Sequence, residues 1–102
     1  PYTADKIIRQ LQRVPVLMID DIGSEMQTSF SRDEILLPIL NARMNNKRLT
    51  FFTSNLDLQS LEHHFTHTQY GENEPIKAKR MMERIHALTE YAPLFGENKR
   101  RR

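Results

Sequence analysis

The chain has 102 residues, 38% hydrophobic and 27% charged, which suits one small domain but is lean for an isolated core. Fifteen Lys and Arg against thirteen Asp and Glu give +2, too mild to argue for nucleic acid, and the excess sits in Lys99-Arg100-Arg101-Arg102. Without cysteines there are no disulfides or thiolate zinc sites, and with no apolar run near ~20 residues and no signal-peptide pattern, a cytoplasmic protein is expected.

Residues 3–13 read as an amphipathic helix capped by Thr3, with Ile7, Ile8 and Leu11 at helical spacing. The apolar run from Val14 to Ile19 ends abruptly in Asp20-Asp21. It suits a strand buried on both faces of a parallel sheet, and Pro15 is tolerable at its start. Gly23 and Ser24 break the pattern. Ser31 and Glu34 then form a capping-box signature, and the helix beyond carries Ile35, Leu36, Ile39, Leu40 and Met44. Pro38 inside that helix is expected to kink or locally open it, and Asn45-Asn46-Lys47 ends it.

Leu49 to Thr53 is a second short strand, rich in β-formers. Asp57 caps a helix with Leu58, Leu61 and Phe65 facing inward. Residues 66–74 are polar and read as a mobile stretch. Pro75 suits the first turn of another helix, running to about Ile85. Residues 86–92 read as a third strand, closed by Pro93 and Gly96. Strands alternating with helices indicate an α/β parallel sheet.

The sharpest local signal is Val16-Leu17-Met18-Ile19-Asp20-Asp21. Open parallel sheets bind ligands at the carboxyl edge of their strands. A carboxylate there can hold magnesium through water, and a second can orient or deprotonate an attacking water in phosphoryl transfer. This is the form of a Walker B motif; the alternative is an acidic turn after a buried strand. The second strand ends in Thr53-Ser54-Asn55. If the strands are neighbours, Asn55 lies close to Asp20 and Asp21, where its amide can bond a phosphate oxygen or the nucleophilic water.

These stretches, with Arg32-Asp33-Glu34, Ala78-Lys79-Arg80-Met81-Met82-Glu83-Arg84-Ile85 and Gly96-Glu97-Asn98, resemble the bacterial helicase loaders of the DnaI/DnaC type, which are AAA+ ATPases. The resemblance covers nearly the whole chain. It implies a P-loop NTPase fold, of which residues 1–102 are the C-terminal portion of one AAA+ domain. It implies ATP and magnesium as cofactors, Asp20 as the magnesium-coordinating acid, Asp21 as the catalytic base and Asn55 as sensor 1. Arg84 resembles the arginine finger, with Arg80 a second candidate; four residues apart, they share one helix face. Arg100 or Arg101 resembles sensor 2. The implied function is delivery of the replicative DNA helicase to DNA, with single-stranded DNA and further copies of the chain as partners and no membrane.

The spacing of His63, His64 and His67 can place two imidazoles on one helical face, but no further ligand follows at zinc-site spacing. No G-x-x-x-x-G-K-[ST] is present, and there are only three glycines, so nothing here can cradle phosphates. The resemblance implies that loop upstream of Pro1, with its strand beside the second strand. The residues are therefore expected to be a partial AAA+ core lacking the Walker A strand and loop, inactive alone, either a remnant or completed by another chain. Two other readings share the scaffold: an IstB-like transposition helper and a non-catalytic interaction module.

Overall fold

The computed structural model describes residues 2–25, 28–68 and 71–89. In chain order these form α1 (Tyr2–Arg13), β1 (Val16–Ile19), a π-helical turn (Ser31–Leu36) running into α2 (Leu37–Asn45), β2 (Leu49–Phe52), α3 (Leu58–Thr66) and α4 (Pro75–Leu88). The strands pair in parallel, Val16 opposite Leu49 and Ile19 opposite Phe52, so both deliver their carboxyl ends to one edge.

Alternation along each strand decides what the sheet buries. Ile19 and Phe52 turn toward the core, a cluster of Ile22, Leu40, Leu61, Phe65, Ala78, Met81, Met82 and Ile85. Val16, Met18, Leu49 and Phe51 point the other way and are 46–56% exposed. The expectation of burial on both faces is thus met on one face only: among the described residues, nothing covers the other. α2 packs against α1 and α4, and α3 against α4.

The helix before α2 does not begin on the predicted Ser31–Glu34 box. Its reciprocal cap lies three residues earlier. The Ser31 amide donates to Thr28 Oγ1 at 2.9 Å and the Thr28 amide to Ser31 Oγ at 3.1 Å. Thr28 is the cap and Ser31 fills the position a Glu often holds. Pro38 opens the helix as expected. Proline has no N–H to donate, and its ring crowds the carbonyl of Glu34. The chain answers with a π-helical turn in which the Leu37 amide reaches the Arg32 carbonyl, five residues back.

Lys47, at φ 53°, turns the chain out of α2, and Asp57 caps α3 by accepting from the Ser60 amide at 2.8 Å. Residues 66–68 and 71–74 carry more structure than a mobile stretch implies. His67 bridges Asn73, the Glu74 amide donates to the Thr66 carbonyl, and Thr68 is buried. α4 begins at Pro75 as read but continues through Leu88, replacing the first residues of the predicted third strand. Met81, Ile85 and Leu88 extend one apolar stripe at helical spacing, and all three pack in the core. Residues 90–92, Pro93, Gly96, the Gly96-Glu97-Asn98 motif and the basic tail with Arg100 and Arg101 lie outside the described residues, as does the Thr3 side chain.

One buried cation fastens the sheet to the helices. Arg43 is fully buried and donates four hydrogen bonds of 2.8 Å: to the Leu11 and Val14 carbonyls at the end of α1, to the Leu49 carbonyl, and to Thr50 Oγ1. No carboxylate is among its partners. Burial, and to a lesser degree neighbouring Arg48, pulls its pKa below the ordinary value. The carbonyls at the end of α1 supply the compensating negative potential.

Candidate functional site

The loops leaving β1 and β2 are fastened to each other residue by residue. The Thr53 amide donates to the Ile19 carbonyl at 3.0 Å, and the Ile22 amide to the Thr53 carbonyl at 2.8 Å. Ser54 Oγ donates to the Ile22 carbonyl at 2.6 Å and itself accepts from the Leu56 amide at 3.1 Å. The parallel pairing therefore extends past the strands as a side-chain and backbone weave.

Within it sit the acidic residues. The Thr53 hydroxyl donates to Asp20 Oδ1 and accepts from the Asp21 amide, the latter at 2.8 Å. Asn55 Nδ2 donates to Asp21 Oδ1 at 3.3 Å. The predicted neighbourhood of Asp20, Asp21 and Asn55 is thus present. Thr53, which sequence reasoning had only as the end of a strand, is the residue joining them; a threonine beside Ser-Asn at a strand end was the available signal. Asp21 holds φ 58° and Gly23 φ 94°. A left-handed aspartate is uncommon but tolerated, because its short side chain bonds locally. At Gly23 that φ strains any side chain, and an added Cβ would lie 2.8 Å from Leu61 Cδ1 and 2.9 Å from Leu56 Cδ1, which would have to shift.

Beside this edge lies a cleft of about 400 Å³. Asp20, Asp21 and Glu25 supply its acidic rim, Ile19, Leu36 and Phe65 its apolar wall, and Ser31 and His64 line it from the helices. Burial holds the His64 imidazole below its ordinary pKa, favouring its neutral form. His67 Nδ1 lies 3.1 Å from the His63 carbonyl, and the His63 and His67 rings meet at a tilt, with centroids 4.4 Å apart. Among the described residues, no group of three or more His, Cys, Asp or Glu is placed to hold a metal ion. Asp20 and Asp21 fit a different kind of cation. Their exposed carboxylates are hard oxygen donors, and magnesium, which keeps most of its water, needs only one or two of them.

The two candidate arginines are separated by their surroundings. Arg80 is exposed on α4. Arg84 is partly covered, and its Nε donates to Asn41 Oδ1 of α2 at 2.5 Å. Glu83 lies 3.7 Å from one terminal nitrogen and is itself mostly exposed, so this pair is weak. Neither arginine lines the cleft, so the fold does not bring them to Asp20 and Asp21 of the same chain.

A second buried cation went unread. Arg32, fully buried, is bidentate to Asp33 at 2.8 and 3.1 Å, meets Glu74 at 2.5 Å and donates to the Phe65 carbonyl at 2.9 Å. Lys77 joins Asp33 at 2.9 Å and Glu74 at 3.4 Å. The Arg32 hydrogen bonds hold the Asp33 and Glu74 carboxyls below their usual range, and Asp33 raises Lys77. This cluster joins the π-helical turn, whose Ser31 lines the cleft, to the first turn of α4. No helix among the described residues is long and apolar enough to cross a membrane.

Comparison with known proteins gives the geometry a context. No protein-family model matches the chain. The replicative helicase loader DnaI of Bacillus subtilis is 46% identical over 98 residues, covering 96% of this chain and 32% of that protein. The replicative helicase loader DnaC of Buchnera aphidicola is 33% identical over 60 residues, 59% of this chain and 24% of that protein. A crystal structure of DnaI superposes with a TM-score of 0.73 at 43% identity, over 84% of this chain and 43% of that one. The resemblance carried by the motifs is thus a relationship over nearly the whole chain, and the α/β fold is the corresponding part of the DnaI fold. The chain spans about a third of the length of the DnaI relative.

Proposed function

We propose that this chain is the part of a replicative helicase loader that supplies the magnesium and water-positioning side of an ATP site. The observation that carries the reading is the triangle of Asp20, Asp21 and Asn55 joined through Thr53 at one sheet edge. The relationship to DnaI and DnaC, both named as replicative helicase loaders, supports the process, delivery of the replicative helicase to DNA; the cytoplasm is the proposed compartment.

In this reading Asp20 holds magnesium through water, and its second bond, from Thr53, fixes which oxygen faces outward. A magnesium ion held there would supply charge neutralisation during phosphoryl transfer. Asp21 takes the position from which a carboxylate orients the attacking water. Asn55, already directed at Asp21, holds that water or a phosphate oxygen from the other side. Arg84, with Arg80 as second candidate, acts on the nucleotide of a neighbouring copy, because neither lines its own cleft. Arg100 or Arg101 is the proposed sensor 2. Single-stranded DNA is the proposed further partner, and the phosphate-cradling loop is proposed to lie upstream of these residues.

The test is magnesium-dependent ATP binding and hydrolysis by this chain and by the chain extended upstream, each with and without Asp20→Asn. Turnover confined to the extended, Asp20-intact protein, together with capture of the replicative helicase, is the expected result. An extended protein that binds no nucleotide overturns the reading.

A further inference from the structure

Arg84 and Arg80 share a helix, but only Arg84 is held. Its Nε–H is used on Asn41 Oδ1. A guanidinium carries five N–H donors in a rigid plane, so that single bond restrains the group and leaves four donors. The acceptor is a neutral amide, which orients the group without cancelling its charge. The nearby carboxylate of Glu83 lies at 3.7 Å on a mostly exposed side chain and competes weakly with a phosphate.

Asn41 is itself out of character in its position. It lies within α2, where asparagine is a poor helix former because its amide competes for backbone bonds. Here the amide oxygen is directed across the α2–α4 contact instead. Its direction depends on the π-helical turn immediately upstream. A π-turn adds one residue, and each residue advances a helix by about 100°, so without the turn Asn41 would face elsewhere.

We propose that Asn41 is the positioning residue for Arg84, presenting its terminal nitrogens to a phosphate oxygen of a neighbouring copy's nucleotide; this rests on the ATPase reading above. Arg80, exposed and without such an acceptor, plays no comparable part.

The test uses the full-length protein. Asn41→Leu keeps the volume and removes the acceptor, and Asn41→Ala serves as a second variant should leucine crowd α4. Expected is a fall in kcat of about 10- to 100-fold, with KM for ATP within about twofold. Arg84→Ala should cost about 1,000-fold, and adding Asn41→Leu to it should cost nothing further. In proton–nitrogen NMR spectra the Arg84 Nε–H should exchange slowly in the wild type and rapidly in Asn41→Leu. Unchanged kcat in both Asn41 variants, an equal loss in the Arg84→Ala background, or an unprotected wild-type Nε–H overturns the positioning role. A protected Nε–H combined with full turnover in Arg84→Ala overturns the role of Arg84 and the proposal with it, whereas a wild-type protein that binds no nucleotide marks failure of the ATPase reading itself.

Discussion

The Thr53 hydroxyl donates to the Asp20 carboxylate from the neighbouring strand end, while its oxygen accepts from the next amide along, that of Asp21. One side chain therefore sets the carboxylate and the backbone that carries it. Thr53→Val keeps the shape and removes both bonds. Because the site is exposed, water replaces them, and chemical denaturation should register a loss of only about 1 kcal/mol. ATP turnover by the upstream-extended chain should fall further, about tenfold or more, as the acid loses its orientation.

Gly23→Ala should destabilise the chain by about 1–3 kcal/mol, because alanine resists a φ of 94° and its methyl would strike Leu61 and Leu56. A melting temperature equal to wild type would show that the turn can relax. The expected result is a lower midpoint together with weaker magnesium-dependent nucleotide binding in the extended chain.

Arg43→Met should be among the most damaging single changes, at about 3 kcal/mol or more. It strands the Leu11, Val14 and Leu49 carbonyls that the guanidinium now satisfies. Arg43→Lys should rescue little, since an ammonium has three donors and no fork. Equilibrium urea unfolding of the three proteins checks the order.

Acid should weaken the fold through Asp33 and Glu74. Both carboxyls are held below their ordinary values in the folded state, chiefly by Arg32. Such groups contribute stability that is present above the unfolded-state carboxylate range of about 4 and is lost as pH falls through the lower, folded values. Arg32→Met removes the cause. Its stability should be about 3 kcal/mol lower at pH 7, and its dependence on pH between about 5 and 2 should be shallower than wild type. Urea midpoints measured across that range decide it.

The acidic edge was legible because its signals are local. Two short β-rich runs each end in polar residues, and parallel pairing alone brings Asp20, Asp21 and Asn55 together. Asp57 and Pro75 were legible as helix starts for the same reason. The cap at Thr28 was missed because Ser31 and Glu34 satisfy the same pattern three residues on. Arg32 and Arg43 were missed because nothing near them in sequence announces burial. Arg32 finds the Phe65 carbonyl 33 residues away and Arg43 finds Leu11 32 residues away. The length of α4 turned on Leu88, whose apolar character serves a strand or a helix equally until the core claims it.

The uncovered face of the sheet has a colloidal consequence. Val16, Met18, Leu49 and Phe51 form a contiguous oily facet about half open to water, on a chain whose charge of +2 offers little mutual repulsion. Taken by itself, this segment will have its solubility governed by that facet: lowest in sulfate, which strengthens apolar contact, and raised by dilute urea well below the unfolding midpoint.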